Sequence, residues 1–335
     1  MSSETDNKAN YKTSDNGINV PQISYQLYLS ATQTPDEEDS YGNTYDANIN
    51  FDNSQIYLDK GYTALSSGSV SKDTFKSGAV VLTSDVTDFT NDTISSDIVL
   101  ELNNNTIIPS DMITSRSTGS DLNVSMSNGT YLIDKTGNYY YTVYGRPNIT
   151  TTVNFENMKF ISTATAGTTD YAKPVKAFQY ISYDSGKGVI TFKNCTFDQT
   201  IVVLTPRSSA ASASYDVVFE NCTFNMTGSS TPILIENNKT SLSGSVTIKN
   251  STFNLATTGN IAAVSAYASG TYDNFNISFE NTVINGSLYE GTDSGTVGIY
   301  KGPASVLLNG KQYSSIAEFN ASVTDDQVKL TGTLN

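Results

Sequence analysis

The chain contains no histidine and no tryptophan, and only two cysteines in 335 residues. Without histidine there is no Ser-His-Asp relay and no imidazole acid–base pair. Two cysteines are too few for a disulfide framework, and with no histidine beside them they do not make a zinc site. Basic residues are scarce: 19 Lys and Arg stand against 33 Asp and Glu, giving a formal net charge of −14 and a pI near 4.3. That balance argues against nucleic acid and against anionic membrane surfaces as partners. No apolar run approaches the roughly 18 residues of a spanning helix, so membrane insertion is not expected. Helix-type periodicity is nearly missing. No secretory leader is recognisable at Met1, and we expect an excised region of a longer secreted protein.

What the chain does contain is a repeat. Ile190-Thr-Phe-Lys-Asn-Cys-Thr-Phe197 recurs as Val217-Val-Phe-Glu-Asn-Cys-Thr-Phe224 and Val246-Thr-Ile-Lys-Asn-Ser-Thr-Phe253. Val153–Phe160 and Ile277–Ile284 fit the same frame: apolar, x, apolar, x, Asn, x, x, apolar. Looser copies are Leu100/Leu102/Asn104/Ile107, Val124/Met126/Asn128/Tyr131, Val306/Leu308/Gly310/Tyr313 and, as an outlier, Ile49/Phe51/Asn53/Ile56. The frame Asn positions are 104, 128, 157, 194, 221, 250 and 281, and the widest step lies between Asn157 and Asn194. Every step falls inside the roughly 20–50 residue range that marks solenoids, propellers or arrays. The alternation inside each unit is the strand period of two. The unit is short for a propeller blade and lacks the helical returns of leucine-rich repeats. The expectation is therefore all-β: a parallel β-helix, a three-sheet solenoid with each unit one coil and with N- and C-terminal caps.

In such a coil, like residues stack at about the 4.8 Å strand spacing. The Asn column should then form an inward-facing amide ladder that satisfies buried polar groups, with the flanking Phe residues filling the interior. Cys195 and Cys222 should stack in neighbouring coils; a disulfide is the alternative, but the strand spacing is slightly long for the usual Cβ separation, and two free, half-buried thiols are expected. Residues 1–20 read as a flexible leader and 21–95 as the N-terminal cap with irregular first coils. Residues 96–313 read as the β-helix and 314–335 as the C-terminal cap. Ser315-Ile-Ala-Glu318 is a capping-box pattern that should start a short helix with Ile316 and Phe319 against the last coil. Val328-Lys-Leu330 should add a final strand.

Three-sheet coils with an Asn ladder resemble the pectate-lyase-like right-handed β-helices over about residues 50–313. The Tyr-, Ser/Thr- and Asn-rich composition and the acidic pI look more like the adhesive members, the binding regions of lactic acid bacterial surface adhesins, including serine-rich repeat adhesins. The resemblance implies a secreted, bacterial cell-surface module. Its partners would be glycans, mucin or acidic polysaccharide, with binding favoured in acid, no cofactor, and a monomeric isolated module. No individual binding residue carries over by motif.

Candidate ligand contacts come from a second set of strands, each a short way upstream of its frame Asn or Gly. Arg146, Tyr183 and Lys239 stand at one common offset before Asn157, Asn194 and Asn250. Tyr180, Arg207 and Tyr267 share a slightly longer offset before Asn194, Asn221 and Asn281, and Tyr144 falls between the two before Asn157. On one longitudinal stripe, aromatic rings could stack on sugar faces and guanidiniums could pair with carboxylates. The alternative is ordinary strand tyrosines and solvated arginines. The wide step from Asn157 to Asn194 implies an inserted loop near Thr163–Lys176, containing Asp170, Tyr171, Lys173 and Lys176. A lyase or glycosidase needs clustered or paired carboxylates. Near the stripe only isolated acids occur, Asp170, Asp184, Asp216 and Glu236, with Asp325-Asp326 beyond it. Catalytic and metal-ligating residues are therefore expected to be none. A polysaccharide lyase or hydrolase and a fibre or phage-tail subunit stand as the alternatives to adhesion.

Overall fold

The computed structural model describes residues 53–66, 78–89, 93–135, 137, 140–164, 175–207, 210–228, 230–237, 240–256, 261–267, 270–286, 296–301, 306–308 and 311–333. The expected leader, the first part of the expected N-terminal cap (21–52) and most of the inserted loop near Thr163–Lys176 (165–174) lie outside these residues. The described chain is mostly β, in long parallel sheets compatible with a β-solenoid. One sheet has 16 strands and the other 10.

The frame strands build the larger sheet. Thr150–Ser162, Lys187–Lys193, Ser212–Glu220, Ser241–Lys249 and Thr271–Glu280 pair side by side, all parallel. Period-two apolar residues give Lys187–Lys193 an alternating burial pattern, and register puts Phe155, Phe192, Phe219, Ile248 and Phe279 in one file. Rings stack along it, with centroids 5.0 Å apart for Phe155–Phe192 and 4.9 Å for Phe192–Phe219. A second file, Phe160, Phe197, Phe224 and Phe253, stacks at 5.1, 4.7 and 4.5 Å. Each ring is essentially fully buried, which stabilises by about 1.5–3 kcal/mol per side chain.

The second file sits on short strands, Thr196–Asp198, Thr223–Asn225, Thr252–Asn254 and Val283–Asn285, one after each frame Asn. Thr150–Ser162 and Leu122–Ile133 run on through the Asn, so frame and short strands merge into one sheet instead of the separate first and third sheets expected.

The frame Asn residues do not point inward. Asn157, Asn194, Asn221, Asn250 and Asn281 are exposed, and Asn128 is half-buried. All six have positive φ, between 45° and 57°. The turn from frame to short strand demands the left-handed conformation, which Asn tolerates better than other side-chain-bearing residues. The amides still form a ladder, on the outer surface. Nδ2 donates to Oδ1 of the preceding repeat for 157→128 (2.7 Å), 194→157 (2.9 Å), 221→194 (3.1 Å) and 281→250 (3.2 Å). All four run in one direction. The ladder begins on Glu101, a buried carboxylate that accepts from Asn128 Nδ2 (2.8 Å), Ser127 Oγ (2.9 Å) and the Asn103 N–H (2.9 Å). The Glu101 oxygens take the Asn128 amide nitrogen, which leaves the Asn128 Oδ1 for Asn157. Tyr57, on the helix Ser54–Asp59, also hydrogen-bonds Glu101; burial, and after it Glu101, pushes its phenol up to about 12. A second outer amide file, Asn285→Asn254→Asn225 at 3.0 and 2.9 Å, follows the short strands and was not expected.

From Asn157 on, the residue after each frame Asn is buried: Met158, Cys195, Cys222, Ser251 and Thr282. The two thiols are free, as expected, but buried instead of half-buried. Cys195 Sγ donates to Phe155 O (3.6 Å) and Cys222 Sγ to Phe192 O (3.4 Å). The contact with Cys222, and after it burial, holds the Cys195 thiol above its ordinary range. From Asn157 on, the residue before each frame Asn alternates in sign, Glu156, Lys193, Glu220, Lys249 and Glu280, in register across five strands. Lys193 pairs with Glu156 at 2.8 Å and Lys249 with Glu220 at 3.2 Å.

The 10-stranded sheet, the lateral sheet, is parallel from Thr93–Ile94 to Val264–Tyr267 and then changes. Thr296–Ile299, Val306–Leu308 and Lys311–Tyr313 join it antiparallel. The expected frame repeat at Val306, Leu308 and Tyr313 is thus an antiparallel extension of the lateral sheet. The outlier at Ile49–Ile56 is not a strand in its described part, because Ile56 lies in the helix Ser54–Asp59. Ser315 Oγ caps the helix Ile316–Ser322 by accepting the Glu318 N–H at 3.1 Å. Phe319 is buried against Tyr313, and Ile316 packs on the core. The final strand, Lys329–Gly332, pairs with Thr271–Glu280.

Candidate functional site

The lateral strands Ile113–Arg116, Tyr141–Gly145, Lys176–Ser182 and Ile201–Pro206 lie side by side. Register places Arg116 beside Tyr144, Tyr144 beside Ile181, and Ile181 beside Thr205. Strand parity sends Val143, Tyr180 and Leu204 inward and these neighbours outward. Just past the strand ends, Arg146, Tyr183 and Arg207 follow in adjacent repeats. The Tyr183 N–H donates to Gly145 O and the Arg207 N–H to Ser182 O, both at 2.7 Å.

These positions bring all three arginines of the chain to two tyrosines. The guanidinium carbons of Arg146 and Arg207 lie 5.0 and 4.6 Å from the Tyr183 ring centroid, and the Tyr183 hydroxyl accepts from Arg207 Nη1. Arg116 lies 5.9 Å from the Tyr144 ring, and the two tyrosine rings meet at 6.0 Å. Arg116 and Arg207 are exposed, and Arg146, Tyr144 and Tyr183 half-buried. Among the described residues the ion pairs are all made by lysines, Lys193, Lys249 and Lys329. The guanidiniums instead meet aromatic faces, contacts worth about 0.5–1 kcal/mol each when exposed. The result is a cationic, aromatic patch on a chain whose net charge is −14. Planar N–H forks on this patch suit carboxylate or sulfate, and the phenol rings offer flat faces to a sugar.

Of the stripe expected from sequence, Tyr144, Arg146, Tyr183 and Arg207 come together. Tyr180 does not: it is fully buried, edge-on to Tyr215 at 6.1 Å, and burial holds its phenol well above the ordinary range. Tyr267 is half-buried at the end of its strand and shares no described ring or cation contact with the cluster; its carbonyl accepts from the Tyr272 hydroxyl. Lys239 lies outside the described residues. The misassignment of Tyr180 has a simple cause. Counting back from the frame Asn crosses a turn of variable length, so equal offsets are not equal registers. Tyr180 and Tyr183 are separated by an odd number of positions and cannot share a strand face. Arg116 was missed, although it precedes Asn128 inside the same offset window.

Lys176, expected in a loop, begins a lateral strand. Its Nζ sits 4.9 Å from the Tyr140 ring and donates to Gln179 Oε1 at 3.4 Å. Burial lowers its pKa, and Glu236 opposes that shift. Two of the isolated acids hold neighbouring repeats together: Asp184, in a turn, accepts from the Ser212 N–H (3.0 Å), and Asp216, within the strand Ser212–Glu220, accepts from Ser245 Oγ on the next strand (3.1 Å). Among the described residues no group of three or more His, Cys, Asp or Glu could hold a metal ion, and no helix is long and apolar enough to cross a membrane. No family model matches the chain, no curated protein matches it, and no solved structure matches it.

Proposed function

We propose that the chain is a right-handed parallel β-helix with capped ends that serves as an extracellular, cell-surface adhesive module, binding acidic glycans on the outer lateral face. The observation that carries this reading is the gathering of Arg116, Arg146 and Arg207 around Tyr144 and Tyr183 without a described carboxylate partner. Guanidiniums outside any described ion pair, on an acidic chain, are available to an external anion, and the rings beside them are available to pyranose faces. Arg146 and Arg207 flank Tyr183 from either side across two repeat steps, about 10 Å at the strand spacing. That span suits a polymer better than a single sugar. The reading is of binding without turnover, since Asp184 is engaged by Ser212 and Asp216 by Ser245.

Dextran sulfate, which keeps its charge in acid, and neutral dextran make the test. The module should bind the sulfated polymer and not the neutral one. Affinity should rise from pH 7 to pH 4, because ordinary carboxylates near pKa 4 lose charge and general repulsion falls. Arg146→Ala and Arg207→Ala should each weaken binding. Equal binding of both polymers, or affinity flat or falling toward pH 4, would refute the reading.

A further inference from the structure

We propose that buried Tyr180 is the positioning residue of this cluster, the wedge that sets Arg146 at its contact distance from Tyr183. The inference takes the binding reading above as its context. Its geometry stands independently.

Tyr180 is keyed into two glycine slots at once. On the lateral side its hydroxyl occupies the place a side chain at Gly145 would take; a Cβ there would overlap the Tyr180 oxygen. On the frame side a Cβ at Gly188 would fall 2.5 Å from Tyr180 Cζ, so the ring fills the slot left by that glycine. Gly145 is the link between Tyr144 and Arg146, and its carbonyl accepts the Tyr183 N–H at 2.7 Å. One rigid phenol therefore touches the backbone between two members of the cluster and belongs to the strand that leads into the third, Tyr183. In the register file Thr151, Gly188, Tyr215 this slot opens between a threonine and a tyrosine, at the repeat of Tyr180. That is also where Arg146 and Arg207 converge on one ring.

The positions of the arginines can be read without ligand. Three Arg side chains give three Nε–Hε signals in a ¹H–¹⁵N spectrum, assignable by single Arg→Lys variants. Those stacked on rings carry ring-current shifts. Gly145→Ala should move the Arg146 signal toward its unstacked position and weaken dextran sulfate binding about tenfold or more. Adding Tyr180→Phe removes the nearest overlapping atom and leaves Cζ, 2.7 Å from the added Cβ, as the remaining contact, so the double variant should recover part of both effects, a coupling expected only of residues in contact.

Should Gly145→Ala fail to fold, Tyr180→Leu and Tyr272→Leu decide the matter. Both truncate buried tyrosines, but Tyr272 does not touch the cluster. Tyr180→Leu should shift the Arg146 signal, and Tyr272→Leu should lower stability and leave that signal in place. A double variant no nearer to wild type than Gly145→Ala, or the same spectral response to both Leu substitutions, overturns the proposal. Failure of the wild-type chain to bind dextran sulfate would defeat the adhesive reading alone, since the spectra still test Tyr180.

Discussion

The outer side of the frame strands and the outer side of the lateral strands carry charge in opposite ways. On the frame side Glu156, Lys193, Glu220, Lys249 and Glu280 alternate in register, and the amides of the Asn file are answered from neighbouring repeats. Charge and hydrogen bonding are closed within the surface. On the lateral side three guanidiniums lean on tyrosine rings, and their N–H forks have few partners of their own kind. A surface that satisfies itself stabilises the chain and offers little to a ligand. A surface left with unanswered donors adds little stability and keeps its capacity for an anion.

If that contrast is right, substitutions should divide cleanly between stability and binding. Phe192→Ala, in the stacked file behind the frame, should cost about 3–5 kcal/mol in urea denaturation. Its folded fraction should bind dextran sulfate like the wild type, and a near-native midpoint would contradict the stacked interior. Asn194→Ala should cost about 1–3 kcal/mol, from the left-handed backbone and two lost amide bonds. Asn194→Gly should recover the backbone part only. If Ala and Gly are equally costly, the turn is not what selects Asn.

The double variant Arg146→Ala/Arg207→Ala should lower affinity for dextran sulfate at least tenfold, about 1.4 kcal/mol. It should move stability by no more than about 0.5 kcal/mol. A large loss of stability would make these arginines structural and erase the contrast. Lys249→Glu places like charges beside Glu220 and Glu280 and should cost about 0.2–1 kcal/mol. Most of that cost should vanish in molar salt, where screening is strong.

The smallest effect concerns Glu318. The Ser314 hydroxyl, and then the Ser314 N–H, hold its carboxyl below the usual range. Its contribution is present above the ordinary glutamate pKa and is lost as pH falls through the lower folded value. Glu318→Gln should flatten the acid limb of the melting temperature slightly; an unchanged limb would mean that the contact is idle.

Much of the frame side was legible in the residues. Alternating Phe and Ile, a fixed Asn and a nearly regular period bring like positions together whatever the turns between them do. The direction of the Asn side chains was not legible, because two pressures select the same residue. An interior amide ladder and a left-handed turn both call for Asn, and the positive φ at Asn157, Asn194 and Asn221 shows that the turn governs. The lateral side was harder. Its turns to the frame differ in length, so an offset from Asn is a poor guide to parity, and Tyr180 fell on the wrong face. Arg116 was in the window and went unused because its own repeat, Val124/Met126/Asn128/Tyr131, is one of the loose copies. The antiparallel ending at Thr296–Tyr313 is likewise invisible to a pattern that records alternation and not strand direction.

The alternation of sign before the Asn residues from Asn157 to Asn281 also restricts how such a molecule can change length. Excising the single unit that carries Lys193 would bring Glu156 against Glu220, and duplicating it would set lysine on lysine. Removing or adding two neighbouring units leaves every acid facing a base. Growth and shortening of this array should therefore proceed by twos, and a natural or engineered relative with an odd insertion should show a compensating reversal of charge at the seam.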